Sequence, residues 1–173
     1  MKETTKFTYN KPLKVITVPE DESTLRMQSQ DIAPEQIQSA EFQAFLDDLM
    51  ETMLTTEMDK GWEPAGLSAI QVGVPINVFI AREYTPLGGG EYKFFINPQL
   101  KLMGEKTDVS EEACMSIPKT TGPVRRHKRV RIKFYDRFGV RQTNKASGFT
   151  ARVIQHEYDH LQGILFTDKL EGE

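Results

Sequence analysis

With one cysteine, one tryptophan and three histidines among 173 residues, this sequence is marked first by what it does without. A single Cys cannot close an internal disulfide. That rules out a disulfide-built fold, agrees with a reducing compartment and leaves Cys114 free for chemistry or packing. No apolar run approaches the ~20 residues of a spanning helix, so no membrane segment is expected. The opening MKETTKFTYN has no apolar stretch behind its lysine; no secretory leader is expected, and the expected location is the cytoplasm. Lys and Arg (22) do not outnumber Asp and Glu (25), and a net charge of -3 argues against a general polyanion binder. Repeats and low-complexity segments are missing too. What remains, 38% hydrophobic and 27% charged residues, describes an ordinary globular chain whose length suits a single domain over 1–173.

Pro12, Pro19 and the polar VPEDESTLR predict irregular backbone in the first thirty residues, with a turn or short helix near Leu25. From Pro34 onward, Ile37, Phe42, Phe45, Leu46, Leu49, Met50, Met53 and Leu54 recur at steps of three and four. That period predicts one long amphipathic helix ending before Gly61. WEPAGLSAIQVGVPINVFIA predicts a Pro- and Gly-rich turn feeding a strand over 76–81. TPLGGGEY reads as a loop, and KFFINPQL as a strand ended by Asn97-Pro98. In RRHKRVRIKFY, 125–135, apolar Val130, Ile132 and Phe134 alternate with Arg129, Arg131 and Lys133, which predicts a half-buried strand with one basic face. That face reads as solvated surface or as an RNA or ribosome contact, and His127 shares its parity without an assignment. DRFGV predicts a hairpin turn. Ser147 or Thr150 is the expected cap of the last helix, and Gly163 its stop. Without regular βαβ alternation, the class is α+β: mostly antiparallel sheets around the long helix of the N-terminal half and the last helix.

That last helix carries QHEYDHLQG, 155–163. Residues four apart share one helix face, so His156 and His160 converge on one point, with Glu157 beside them to handle protons: the H-E-x-x-H pattern of metal hydrolases. A catalytic metal keeps three protein ligands and one open position. Candidates for the third are Asp168, Glu171 and Glu173 downstream, or Cys114 in EACMSIP upstream. A lone Cys is ordinarily a small buried hydrophobe; next to a His pair, a ligand is the better reading. A zinc endopeptidase and a structural metal module are the rival readings, and a structural site would need four closed ligands.

Three motifs in order, PAGLSAIQ, EACMS and QHEYDH, resemble those of the peptide deformylases, G-x-G-L-A-A-x-Q, E-G-C-L-S and Q-H-E-x-D-H. VPEDESTLR and GILFTDKL resemble family segments as well. The chain is similar to short members, some phage-encoded, that lack a C-terminal helical extension. The resemblance implies removal of the formyl group from formyl-methionyl nascent polypeptides, without membrane or specific nucleic acid and with transient ribosome contact. It implies Fe2+ as metal, with Zn2+ or Ni2+ in purified protein, held by Cys114, His156 and His160. Glu157 would move protons, while the Gln71 side chain and the Met115 backbone N–H would face the oxyanion. Gly66 and Ala65 would admit the substrate backbone beside Ala113, and Phe149 and Val153 would wall a methionine slot. Arg152 stands where an aliphatic residue is common and is expected at the pocket mouth. Pro64, Ser68, Ala113 and Met115 depart from the family motifs. Asp159 and Glu112 are expected to orient ligands or, for Glu112, to pair with Arg126.

Overall fold

The structure, a computed structural model, describes residues 6–172. Residues 1–5, part of the segment behind the leader expectation, and Glu173 lie outside the described residues. After an irregular start, α1 (Glu22–Leu25) forms the short turn expected near Leu25, capped by Asp21, which accepts a hydrogen bond from the Thr24 N–H.

The long helix starts later than its apolar period. Pro34 opens a separate one-turn 3-10 helix, Pro34–Gln36, and α2 is Ala40–Thr55. Ser39 sets that boundary by accepting from the Phe42 N–H at 3.2 Å, a side-chain bond that competes with helix continuation through it. Phe42, Phe45, Leu46, Leu49 and Met53 are its buried stripe, whereas Leu54, counted with that stripe by sequence, is 54% exposed.

Among the described residues, seven strands follow. β1 (Gly66–Ser68), β2 (Val78–Tyr84), β3 (Gly90–Leu102), β6 (Arg129–Tyr135) and β7 (Arg141–Ser147) form an antiparallel sheet in the order β1-β2-β3-β6-β7. β4 (Thr107–Cys114) and β5 (Ile117–His127) make a separate hairpin. α3 is Gly148–Leu161. α2 packs on Val78, Ile80, Phe94 and Ile96 of one sheet face, and α3 joins Phe79, Phe95, Val130, Ile132 and Phe134 on the other. The α+β expectation therefore holds.

Four local expectations change. The strand predicted over 76–81 begins at Val78, because Ile76 and Asn77 are occupied by the segment around Gln30. Pro98 does not end β3: the register shifts between Ile96 and Gln99, and Asn97, at φ 49, hydrogen-bonds both backbone groups of Ile32 (2.9 and 2.7 Å). The 125–135 run is two strands in different sheets, parted at Lys128, although Val130, Ile132 and Phe134 are buried as the alternation requires. Neither expected cap bonds the start of α3: Ser147 precedes it without a side-chain bond, and the Thr150 hydroxyl accepts from the Tyr84 N–H instead. Gly163, at φ 72, follows its end as expected.

Candidate metal and hydrolytic centre

Three elements meet at one place. β4 delivers Glu112 and Cys114, α3 delivers the H-E-x-x-H residues, and β1 with the 3-10 turn Ala69–Val72 delivers Gly66, Ser68 and Gln71. Cys114, His156 and His160 present donor atoms that all lie within 4.8 Å of one another, and Cys114 Sγ is 3.3 Å from His160 Nε2. Asp168 is instead committed to Arg26, and Glu171 to Arg125, so neither downstream acid within the described residues joins the cluster.

The donor set suits a divalent transition metal: one thiolate and two imidazoles are the ligands chosen by zinc, iron and nickel. Each ring is oriented accordingly. His156 Nδ1 is 2.8 Å from Glu112 Oε2, which leaves its Nε2 for the centre. His160 Nδ1 is buried without a partner, so the ring's polar engagement is toward Cys114. Burial, helped by the charges of His156 and Arg126, holds His160 well below its ordinary pKa, in the neutral form a ligand needs. Burial disfavours charge on His156 too, but Cys114 and Glu112 outweigh it and raise its pKa.

Glu112 is the hub around this cluster. Burial would raise its pKa, yet hydrogen bonds from His156 and Arg126 hold it well below the usual carboxylate range. Its Oε1 accepts from Arg126 Nε (2.9 Å) and Arg152 Nη1 (2.8 Å), and its Oε2 from Arg126 Nη2 (2.9 Å) and His156. Arg126 also pairs with Asp159, so Asp159 acts at two removes from the cluster. Arg152 corrects an expectation. It lines the cavity, but it is 4% exposed, and its guanidinium also holds Val124 O (2.8 Å) and Asp108 Oδ1 (2.8 Å) rather than standing at the mouth. On α3 the ties to the β4–β5 hairpin come from Arg152, Gln155, His156 and Asp159, a helical stripe at steps of three, one and three.

Glu157 faces the opposite way. It is 4% exposed, and burial pushes its pKa up to about 7, against the pull of His156 and Ser68. Ser68 Oγ lies 2.7 Å from Glu157 Oε2 and 2.9 Å from the Glu157 carbonyl oxygen. Gly66 is glycine for the same reason: a Cβ there would stand 2.7 Å from Glu157 Oε1 and 2.7 Å from Ile80 O. Gln71 is fixed by the Ser68 N–H on Oε1 (2.9 Å), and its Nε2 points at Ser116 Oγ (3.1 Å) and Cys114 Sγ (3.4 Å). The cavity beside the cluster is lined by Ala65, Gly66, Ala113, Met115, Phe149 and Val153, with Met58, Trp62 and Glu63 added. Sequence reading missed these last three and the work of Ser68. Ser68 carried a signal, a hydroxyl inside PAGLSAIQ, three residues before Gln71; Met58, Trp62 and Glu63 lie in a turn with no period.

A family model described as polypeptide deformylase matches residues 12–173. The chain belongs to the polypeptide deformylase family. It is 35% identical to the peptide deformylase of Pseudothermotoga lettingae over 72% of this chain and 66% of that one. For the Fusobacterium nucleatum enzyme the identity is 39%, over 75% and 69%. Among solved structures, the Thermotoga maritima deformylase superposes with TM-score 0.78 at 26% identity, covering 94% of this chain and all of its own. A probable peptide deformylase of Synechococcus phage S-SSM7 gives 0.77 at 30%, covering 92% and 100%. The family is one of metal-dependent hydrolases that remove the N-formyl group from new polypeptides. These matches speak for that reaction and not for an endopeptidase or a structural metal module. No helix among the described residues is long and apolar enough to cross a membrane.

Proposed function

We propose that this chain, acting as one catalytic domain, hydrolyses the N-terminal formyl group of formyl-methionyl polypeptides at a divalent metal held by Cys114, His156 and His160. The observation that carries this reading is the convergence of those three donors, from two separate elements, beside the buried Glu157. When bound, the ion supplies Lewis acidity, polarising the formyl carbonyl and making water acidic near neutral pH. Thiolate with imidazole suits several ions; the family resemblance favours Fe2+ in the cell, with Zn2+ or Ni2+ in purified protein.

The chain's own residues do the rest. Glu157 takes a proton from the attacking water and gives it to the leaving amine nitrogen, so formate and a free amino terminus result. Burial holds its carboxyl above the ordinary carboxylate range, the direction that favours taking up a proton. Gln71 Nε2, oriented by the Ser68 N–H that the amide accepts on Oε1, and the Met115 backbone N–H donate to the developing oxyanion, each worth about 2.7–4 kcal/mol in comparable sites. β1 is an edge strand, so the substrate backbone pairs alongside Ala65 and Gly66, with Ala113 opposite. Phe149 and Val153 wall the methionine slot, and Arg152 contributes through its stem while its charge stays on Glu112. A deformylase of Acinetobacter baumannii, 28% identical, was solved with Met-Ala-Ser bound, a peptide of the product type. Nascent polypeptides are then the substrate, in the cytoplasm and with transient contact to the ribosome.

The test is formate release from a formyl-Met tripeptide against cleavage of its unformylated counterpart, with metal content measured alongside. Formate release that is lost in air and restored by anaerobic iron is expected. Cleavage of the unformylated peptide, or full activity without bound metal, contradicts the reading.

A further inference from the structure

The outward face of the sheet beyond α2 concentrates positive charge. Lys101 on β3, Arg129, Arg131 and Lys133 on β6, and Arg141 and Lys145 on β7 share the side opposite Leu100, Val130, Ile132, Phe134 and Ala146. The pairing puts Lys101 opposite Arg131, and Arg131 opposite Lys145, so three cations stand in one row across three strands. The other outward positions are Gln99, Tyr135, Thr143 and Ser147, and none is acidic. Among the described residues none of the six cations is ion-paired; Arg141 reaches only Tyr135, by a 3.0 Å hydrogen bond and by stacking over its ring. Five are exposed and Arg131 is half-buried.

Such a row is not neutral for folding, because like charges directly opposite on neighbouring strands repel. Nor is it a sample of the whole surface. The chain carries -3 overall, so everything apart from these six carries -9. We propose that this face binds the phosphate backbone of RNA. Along β6 the cations repeat every second residue, about 6.6 Å apart, and neighbouring strands stand about 4.8 Å apart, which gives a flat grid of donors. Three of the six are Arg, whose planar forks match phosphate oxygens. A membrane surface would also need an apolar face to insert. An acidic protein would need aromatic or aliphatic anchors. This face offers neither, since its one aromatic, Tyr135, is half-buried under Arg141. Sequence-independent capture of RNA fits what is there.

The experiment is fluorescence anisotropy of a short labelled single-stranded RNA over a salt series. The protein is used metal-loaded, first unchanged, then with Arg129→Gln, Arg131→Gln and Lys133→Gln combined, then with Lys6→Gln, Lys11→Gln and Lys14→Gln combined as a control of equal charge. Single-strand binding loses about 0.7 in the log–log salt slope per phosphate contact removed, so the first set should flatten the slope by about 2. The control set should leave it nearly as it was. Formate release from a free formyl-Met peptide should be unchanged in both sets, which reports an intact fold. If the strand β6 set misfolds, Arg141→Gln with Lys145→Gln carries the same test. Equal losses in the patch and control sets overturn the proposal. So does binding to phosphatidylserine vesicles or poly-glutamate as tight as to RNA.

Discussion

Helices α2 and α3 are of similar length, 16 and 14 residues, and pack on opposite faces of one sheet, yet they bury different chemistry. All five buried residues of α2 are apolar. Of the eleven buried on α3, seven are polar or charged: Thr150, Arg152, Gln155, His156, Glu157, Asp159 and His160. Buried apolar area stabilises a fold by itself, whereas a buried charge costs free energy unless every partner is in place. α2 is thus held by area and α3 by an inventory of partners. A domain keeps such a helix because it does something other than hold the core.

The contrast can be broken hardest at His160. His160→Ala removes a proposed ligand, so bound metal should fall from one per chain to near none and formate release to background; full metal retention in that variant contradicts the assignment. On α2 the reverse pattern is expected. Phe45→Ala should lower unfolding free energy by about 3–5 kcal/mol, read by denaturant titration, and leave metal content and kcat of the folded fraction unchanged. A fall in kcat there would mean that α2 shapes the site. Smaller still is Arg152→Leu. Glu112 keeps Arg126 and His156, so the expected result is about tenfold weaker metal retention in a chelator competition, with Arg152→Lys recovering part of it. Unchanged metal retention with altered peptide selectivity would return the Arg152 guanidinium to the pocket mouth.

How much of this was legible follows the same division. Period and capping chemistry are local, so the α2 stripe, the buried parity of β6 and the Gly163 stop could be read directly, and the resemblance of three ordered motifs to the deformylases joined Cys114 to the His pair. What failed depended on distant partners. The break at Lys128 exists because β5 pairs with β4 and β6 with β3, and the bulge at Asn97 exists because Ile32 fills its hydrogen bonds. Arg152 was expected at a pocket mouth because its spacing from His156 is visible in the sequence, while Asp108 and Glu112, its partners, lie on a hairpin 40 residues away or more. Ser68 is a short polar side chain whose role appears only once Glu157 is beside it.

The central claim is that Glu157 moves protons and does not hold the metal. Glu157→Gln keeps nearly the same shape and cannot accept and return a proton, so one measurement decides: metal content and formate release on the same preparation. The account predicts one metal per chain, with turnover down by about 10²–10⁴ and substrate affinity changed far less. Loss of the metal, or turnover near that of the unaltered enzyme, would contradict it.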